Sequence, residues 1–112
     1  MANGVNGSTR EWRKVRAEVI RDEPLCWLRL PGCTLRSTTA DHIIPVITAP
    51  HLRMIRSNLH GACKSCNYRR GNTPVARLHE LRCKTLQLTR DQALKHIVAQ
   101  RNPAPALRFF DA

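Results

Sequence analysis

The sequence predicts a small α+β protein whose short strands and helices gather around a structural metal. A chain of 112 residues buries only about two-thirds of the surface it exposes when unfolded, which leaves a thin core. Aromatic bulk comes from Trp12, Trp27, Tyr68, Phe109 and Phe110 alone. Two cysteine pairs, Cys26/Cys33 and Cys63/Cys66, offer a way to stabilise such a chain without a large core. Along the chain the hydrophobic period changes: helical before Pro24, β-favouring near Ile43 and Ile44, and helical again after Lys64.

The elements follow in order. Residues 1–8 are rich in Gly and Asn and are expected to be a flexible N-terminus. Ser8 or Thr9 can cap a helix, with Glu11 completing a capping box from Ser8. Trp12, Val15, Val19 and Ile20 then recur at helical spacing, with Arg10, Arg13, Lys14, Arg16 and Arg21 mainly elsewhere on the wheel, until Pro24 ends the helix. Cys26 to Cys33 is a ligand-bearing loop in which Pro31-Gly32 makes a turn before the second cysteine. Thr38 to Val46 favours a strand that Pro45 keeps short, residues 47–57 are a basic connection, and Leu59 to Ala62 can return as the second arm of a hairpin. Lys64 onward reads as a short helix carrying Asn67, Tyr68, Arg69 and Arg70 and stopping at Gly71.

Val75 to Leu88 fits a helix followed by a connection, with Leu78, Leu81, Leu86 and Leu88 as its apolar residues. Thr89 caps a last helix, Gln92 stands at the capping-box position, and Ala93, Leu94, Ile97 and Val98 form a stripe expected to pack on the core. Residues 101–112 are a tail, with Phe109 and Phe110 able to dock on this chain or on a partner. The expected organisation is one domain over residues 9–100, with no internal repeat.

The N-terminal residues show neither a basic region nor an apolar run of the kind that directs secretion. The expected compartment is therefore the cytoplasm, and for a viral protein the host cytoplasm. In a reducing compartment, paired cysteines are metal thiolates more often than disulfides, and five cysteines would leave a disulfide framework open. Cys63 and Cys66 form a short knuckle, and Cys26 and Cys33 are its economical partners. Four thiolates select Zn2+ over Mg2+ or Ca2+ and leave no position for catalytic water, so the zinc is expected to be structural. Ordinary buried cysteines and an iron–sulfur cluster are the competing readings. Cys83 reads as a packing residue, with the Cys83/His79 pair as the alternative ligand source, and His51, His60 and His96 read as surface or structural residues.

Net charge is +11, with 19 basic against 8 acidic residues, and 15 of the basic residues are arginine. Such an excess favours a polyanion, because arginine forms paired hydrogen bonds with phosphate oxygens. The basic residues are spread along the chain and no apolar run could cross a membrane, which favours DNA, met through its phosphate backbone, over a membrane surface. Candidate contacts are Arg13, Arg53, Arg56, Lys64, Arg69 and Arg70.

The cysteine pairs enclose Asp41-His42 and Asn58, and Asn67 directly follows Cys66. This ordered series, over residues 24–72, resembles the HNH endonuclease family, the ββα-metal or His-Me finger nucleases, and in particular small bacteriophage HNH proteins with a four-cysteine zinc site. The resemblance implies a ββα-metal core with structural zinc and flanking helices, and DNA cleavage to 5′-phosphate and 3′-hydroxyl ends. It implies that His42 is the general base, that Asp41 and Asn67 hold a catalytic Mg2+, Mn2+ or Ni2+, and that Asn58 steadies the hairpin loop and helps orient His42. It also implies a role beside the terminase subunits that package phage DNA. The chain departs from the family pattern in three places. Thr48 to Arg56 replaces a Gly-Gly element, six residues separate the first cysteine pair, and Arg70 stands where lysine is frequent.

Two further function classes account for part of the same pattern. A noncatalytic zinc module for DNA binding explains the cysteines and the charge but gives Asp41 and His42 no task. A small assembly protein would use the zinc frame to present the basic helix or the Phe-containing tail.

Overall fold

The computed structural model describes residues 9–101, so the expectations for the N-terminus and for the tail beyond residue 101 lie outside the described residues. Helix α1 spans Arg10–Asp22, strand β1 Thr39–His42, strand β2 Leu59–Ala62, helix α2 Lys64–Arg70 and helix α3 Arg90–Arg101, with short 3₁₀ turns between them. The two strands pair antiparallel, with Asp41 opposite His60 and His42 opposite Leu59. This hairpin followed by α2 is the ββα unit that the sequence suggested.

Two apolar clusters hold these elements. Trp12 and Val19 of α1 pack with Ala40 of β1 and Leu59 of β2, while Cys26, Leu28, Leu30, Ala62, Cys63, Cys66 and Leu78 form the second cluster. Helix α1 begins on Thr9, whose hydroxyl accepts from the Trp12 amide at 3.1 Å. That cap sets Trp12 at the third helical position and corrects the expected box, since Glu11 now stands one residue short of it. The end of α1 lies so close to β2 that a Cβ on Gly61 would collide with the Glu23 carbonyl oxygen. Only glycine fits there, and Glu23 completes the junction with Oε1 by accepting from the Gly61 amide at 3.0 Å.

The segment Val75 to Leu88, expected as a helix followed by a connection, instead holds two 3₁₀ turns, Val75–Glu80 and Lys84–Leu86. The physical reason is tertiary. Cys83 donates its amide to the Arg29 carbonyl, and Arg82 donates to the Leu28 and Trp27 carbonyls, so this backbone is drawn onto the first cysteine loop. Arg29 answers by donating to the Cys26, Leu86 and Leu88 carbonyls. Helix α3 follows the expected capping box, with Thr89 N donating to Gln92 Oε1 at 2.9 Å and Gln92 N to Thr89 Oγ1 at 3.2 Å. Ala93 is buried, and Leu94, Ile97 and the more than half exposed Val98 line a groove with Ile20, Pro24 and Leu25. Among the described residues no helix is long and apolar enough to cross a membrane.

Candidate active site and metal centre

The Pro31-Gly32 turn closes the six-residue gap between the first two cysteines. Gly32 takes a positive φ of 86°, and Cys33 N donates to the Leu30 carbonyl at 2.9 Å. The four sulfurs of Cys26, Cys33, Cys63 and Cys66 lie within 4.8 Å of one another, with none in a disulfide. A zinc ion with tetrahedral bonds of about 2.3 Å would set its sulfurs roughly 3.8 Å apart, and the Cys63–Cys33 separation is 3.9 Å. Backbone amides point at the sulfurs as well: Leu30 N to Cys66, Leu35 N to Cys33 and Cys66 N to Cys63.

The thiols share hydrogen bonds that hold Cys26 down and push Cys33 and Cys66 up, so the sulfurs compete for charge when no cation is bound. A dication is what would let all four bind as thiolates. Cys83 stands apart from this cluster, its sulfur 3.2 Å from Thr85 Oγ1, and among the described residues the pair with His79 forms no metal-capable group.

Asp41, His42 and Asn58 meet at one end of the hairpin. Asn58 is buried and spans the connection: its Oδ1 accepts from Ile44 N at 2.9 Å, and its Nδ2 donates to the carbonyls of Ile44 at 3.2 Å and Leu52 at 3.5 Å. An amide side chain that bonds both backbone groups of Ile44 holds this loop closed without the Gly-Gly element. The loop in turn presents the Arg53 carbonyl to His42 Nε2 at 2.9 Å. A carbonyl oxygen only accepts, so Nε2 carries the proton in neutral His42 and Nδ1 carries the lone pair. Burial holds His42 below the ordinary imidazole value, with the charges of Arg53 and Arg70 acting the same way against the Arg53 carbonyl and Asp41. The base form is thus the one present at neutral pH.

Asp41 is 4% exposed and accepts two hydrogen bonds on one oxygen, Oδ2: from Arg70 Nη1 at 2.6 Å and from Trp27 Nε1 at 3.0 Å. No hydrogen bond among the described residues reaches Oδ1. Burial pushes the Asp41 carboxyl up, and the Arg70 charge and hydrogen bond pull back against it. Asn67, on α2, is half-buried.

Arg70 corrects the sequence reading that placed it among phosphate contacts. It is 2% exposed and donates inward to Asp41, to the carbonyls of His42 and Ile43 at 2.7 Å each, and to the Thr73 carbonyl at 3.0 Å. A guanidinium enclosed in this way does not reach DNA. Arg56 is half-buried and paired with Glu23 Oε2 and the Leu59 carbonyl, while Lys64, Arg69 and Arg13 are exposed. His60, expected as a structural residue, has Nδ1 2.8 Å from Glu23 Oε1 and its ring 4.5 Å from that of Trp27.

Sequence reasoning missed Trp12 and Trp27 as parts of this site. The Trp12 ring stacks on His42, and Trp27 holds Asp41 from its indole nitrogen. Trp12 precedes His42 by 30 residues, so no local signal joins them.

Residues 25–73 match the family described as HNH endonuclease. A search of curated proteins finds no match. Among solved structures, the chain is similar to the HNH endonuclease of the deep-sea thermophilic bacteriophage GVE2, solved with manganese ion. The two are 28% identical, with 62% of this chain and 77% of that one covered and a TM-score of 0.48.

Proposed function

We propose, from the premise that residues 25–73 form an HNH endonuclease domain, that the chain is a divalent-metal-dependent DNA endonuclease with His42 as its general base. The observation that carries this reading is the hydrogen bond from His42 Nε2 to the Arg53 carbonyl, which directs the basic nitrogen away from the loop. Nδ1 of His42 takes a proton from water, the water oxygen attacks phosphorus, and the bond from phosphorus to the 3′ oxygen breaks. The products are a 5′-phosphate and a 3′-hydroxyl, the departing oxygen taking its proton from solvent.

Asp41 and Asn67 would hold the catalytic cation, Mg2+, Mn2+ or Ni2+, separate from the structural zinc. Carboxylate and amide oxygens suit a hard ion, and the concentration of Asp41 hydrogen bonds on Oδ2 leaves Oδ1 for it. When bound, such a cation offsets the negative charge that develops on the phosphoryl and leaving oxygens. Asn58 keeps the loop that orients His42, and Lys64, Arg69, Arg13 and Arg53 supply phosphate contacts. The enzyme works on phage DNA beside the packaging terminase in the host cytoplasm, a role that follows from the family resemblance.

The test is incubation of zinc-loaded protein with supercoiled DNA and each cation in turn. Nicks that a ligase reseals without prior phosphorylation support the reading. Folded protein that cuts no DNA with any of these cations favours a noncatalytic zinc module instead.

A further inference from the structure

We infer that Trp12 is a positioning residue for His42, so that helix α1, which lies outside the matched segment 25–73, is a working part of the active site. The inference rests on the reading of His42 as the general base. The Trp12 and His42 rings lie 5.2 Å apart between centroids with 13° between their planes, a stacked pair.

The geometry leaves this task to Trp12. The torsion that turns an imidazole about its Cβ–Cγ bond is broad and weakly preferred. The hydrogen bond from Nε2 to the Arg53 carbonyl fixes one point of the ring, and the ring can still swing about that point. A flat surface against one face removes the swing, and point and plane together fix the direction of Nδ1. Trp12 is itself held firmly: it is 8% exposed, packs with Val19, Ala40 and Leu59, and has its amide bound by the Thr9 cap. Supporting a reacting group from residues locked by their own packing is what keeps a site at its working geometry.

Two measurements on the full, zinc-loaded chain test this. In the NMR spectrum of the intact protein, the carbon-bound ring protons of His42 should be shifted upfield by the indole ring current, and its nitrogens should show the Nε2-protonated form. In DNA cleavage, Trp12→Leu, which keeps bulk but offers no flat face, should lower kcat by about tenfold or more, the scale expected for a misplaced reacting group, with KM for DNA within about twofold. Trp12→Phe should restore both the ring shifts and most of kcat. Unshifted His42 ring protons in the intact protein would overturn the proposal, even if Trp12→Leu failed to fold. So would a folded Trp12→Leu variant with kcat unchanged. An intact chain that shows the shifts and cuts no DNA would instead overturn the reading of His42 as base.

Discussion

Arg70 Nη1 lies 2.6 Å from Asp41 Oδ2, and with 2% and 4% of the residues exposed the pair is shut away from water. The same guanidinium ties the carbonyls of His42 and Ile43 to that of Thr73. One side chain therefore fastens β1 to the end of α2. A lysine in its place would be a point charge without the planar fork that makes these bonds together.

Removing one partner of such a pair strands the other as an uncompensated buried charge, a loss of about 3–5 kcal/mol. Arg70→Leu should lower the unfolding free energy of zinc-loaded protein by that amount, and Arg70→Lys by less. Urea titration measures both. A loss for Arg70→Leu below about 1 kcal/mol, the scale of a surface ion pair, would mean that the pair does not hold the fold.

One zinc per chain should be found by native mass spectrometry. Cys66→Ser should abolish it together with the folded state, since binding of a structural metal is part of the folding free energy. Strong chelators should unfold the intact protein. A folded, zinc-free Cys66→Ser variant would contradict the four-sulfur centre.

Acid should destabilise the protein through His42. Its folded pKa lies below the ordinary value of 6.5 because burial disfavours the charged ring. The unfolded chain therefore binds the proton more readily, and the stability contributed by neutral His42 is full above that value and declines as pH falls below it. Urea midpoints should drop between pH 7.5 and 5.5, and His42→Gln should flatten that drop. By the same displacement, the acid limb of the cleavage profile should fall at lower pH than for a free imidazole.

DNA affinity should decline steeply with salt, with little preference among sequences, if phosphates supply most contacts. Replacing Lys64 or Arg69 by Ala should each reduce the slope of log K against log salt by about 0.9. Salt-insensitive binding, or strong selection of one short sequence in competition, would count against phosphate-dominated recognition.

Features encoded locally were legible from the sequence. The cysteine pairs, the Pro31-Gly32 turn, the Thr89/Gln92 capping box and the stop at Gly71, where φ is 55°, each depend on a few neighbouring residues. The order of the motif series drew attention to Asp41-His42 and Asn58, which the hairpin brings together, whereas Asn67 stands on α2 as a proposed ligand. What escaped depends on partners far along the chain. Arg70 read as a surface cation because its acceptor Asp41 lies 29 residues away. Val75 to Leu88 read as a helix followed by a connection, not as 3₁₀ turns, because Arg82 and Cys83 turn back onto the Cys26 loop only once that loop exists. Trp12 read as ordinary core because its role requires α1 to pack over β1.

His42 as general base is tested most directly by cleavage of supercoiled DNA by intact protein and by His42→Ala, both zinc-loaded and shown to be folded by the same spectra, with Mn2+ or Mg2+ added. The intact protein should cut in a chelator-sensitive way, and the variant should lose about 10²-fold or more, the usual contribution of a general base. Metal-dependent cutting at an undiminished rate by folded His42→Ala would contradict that role.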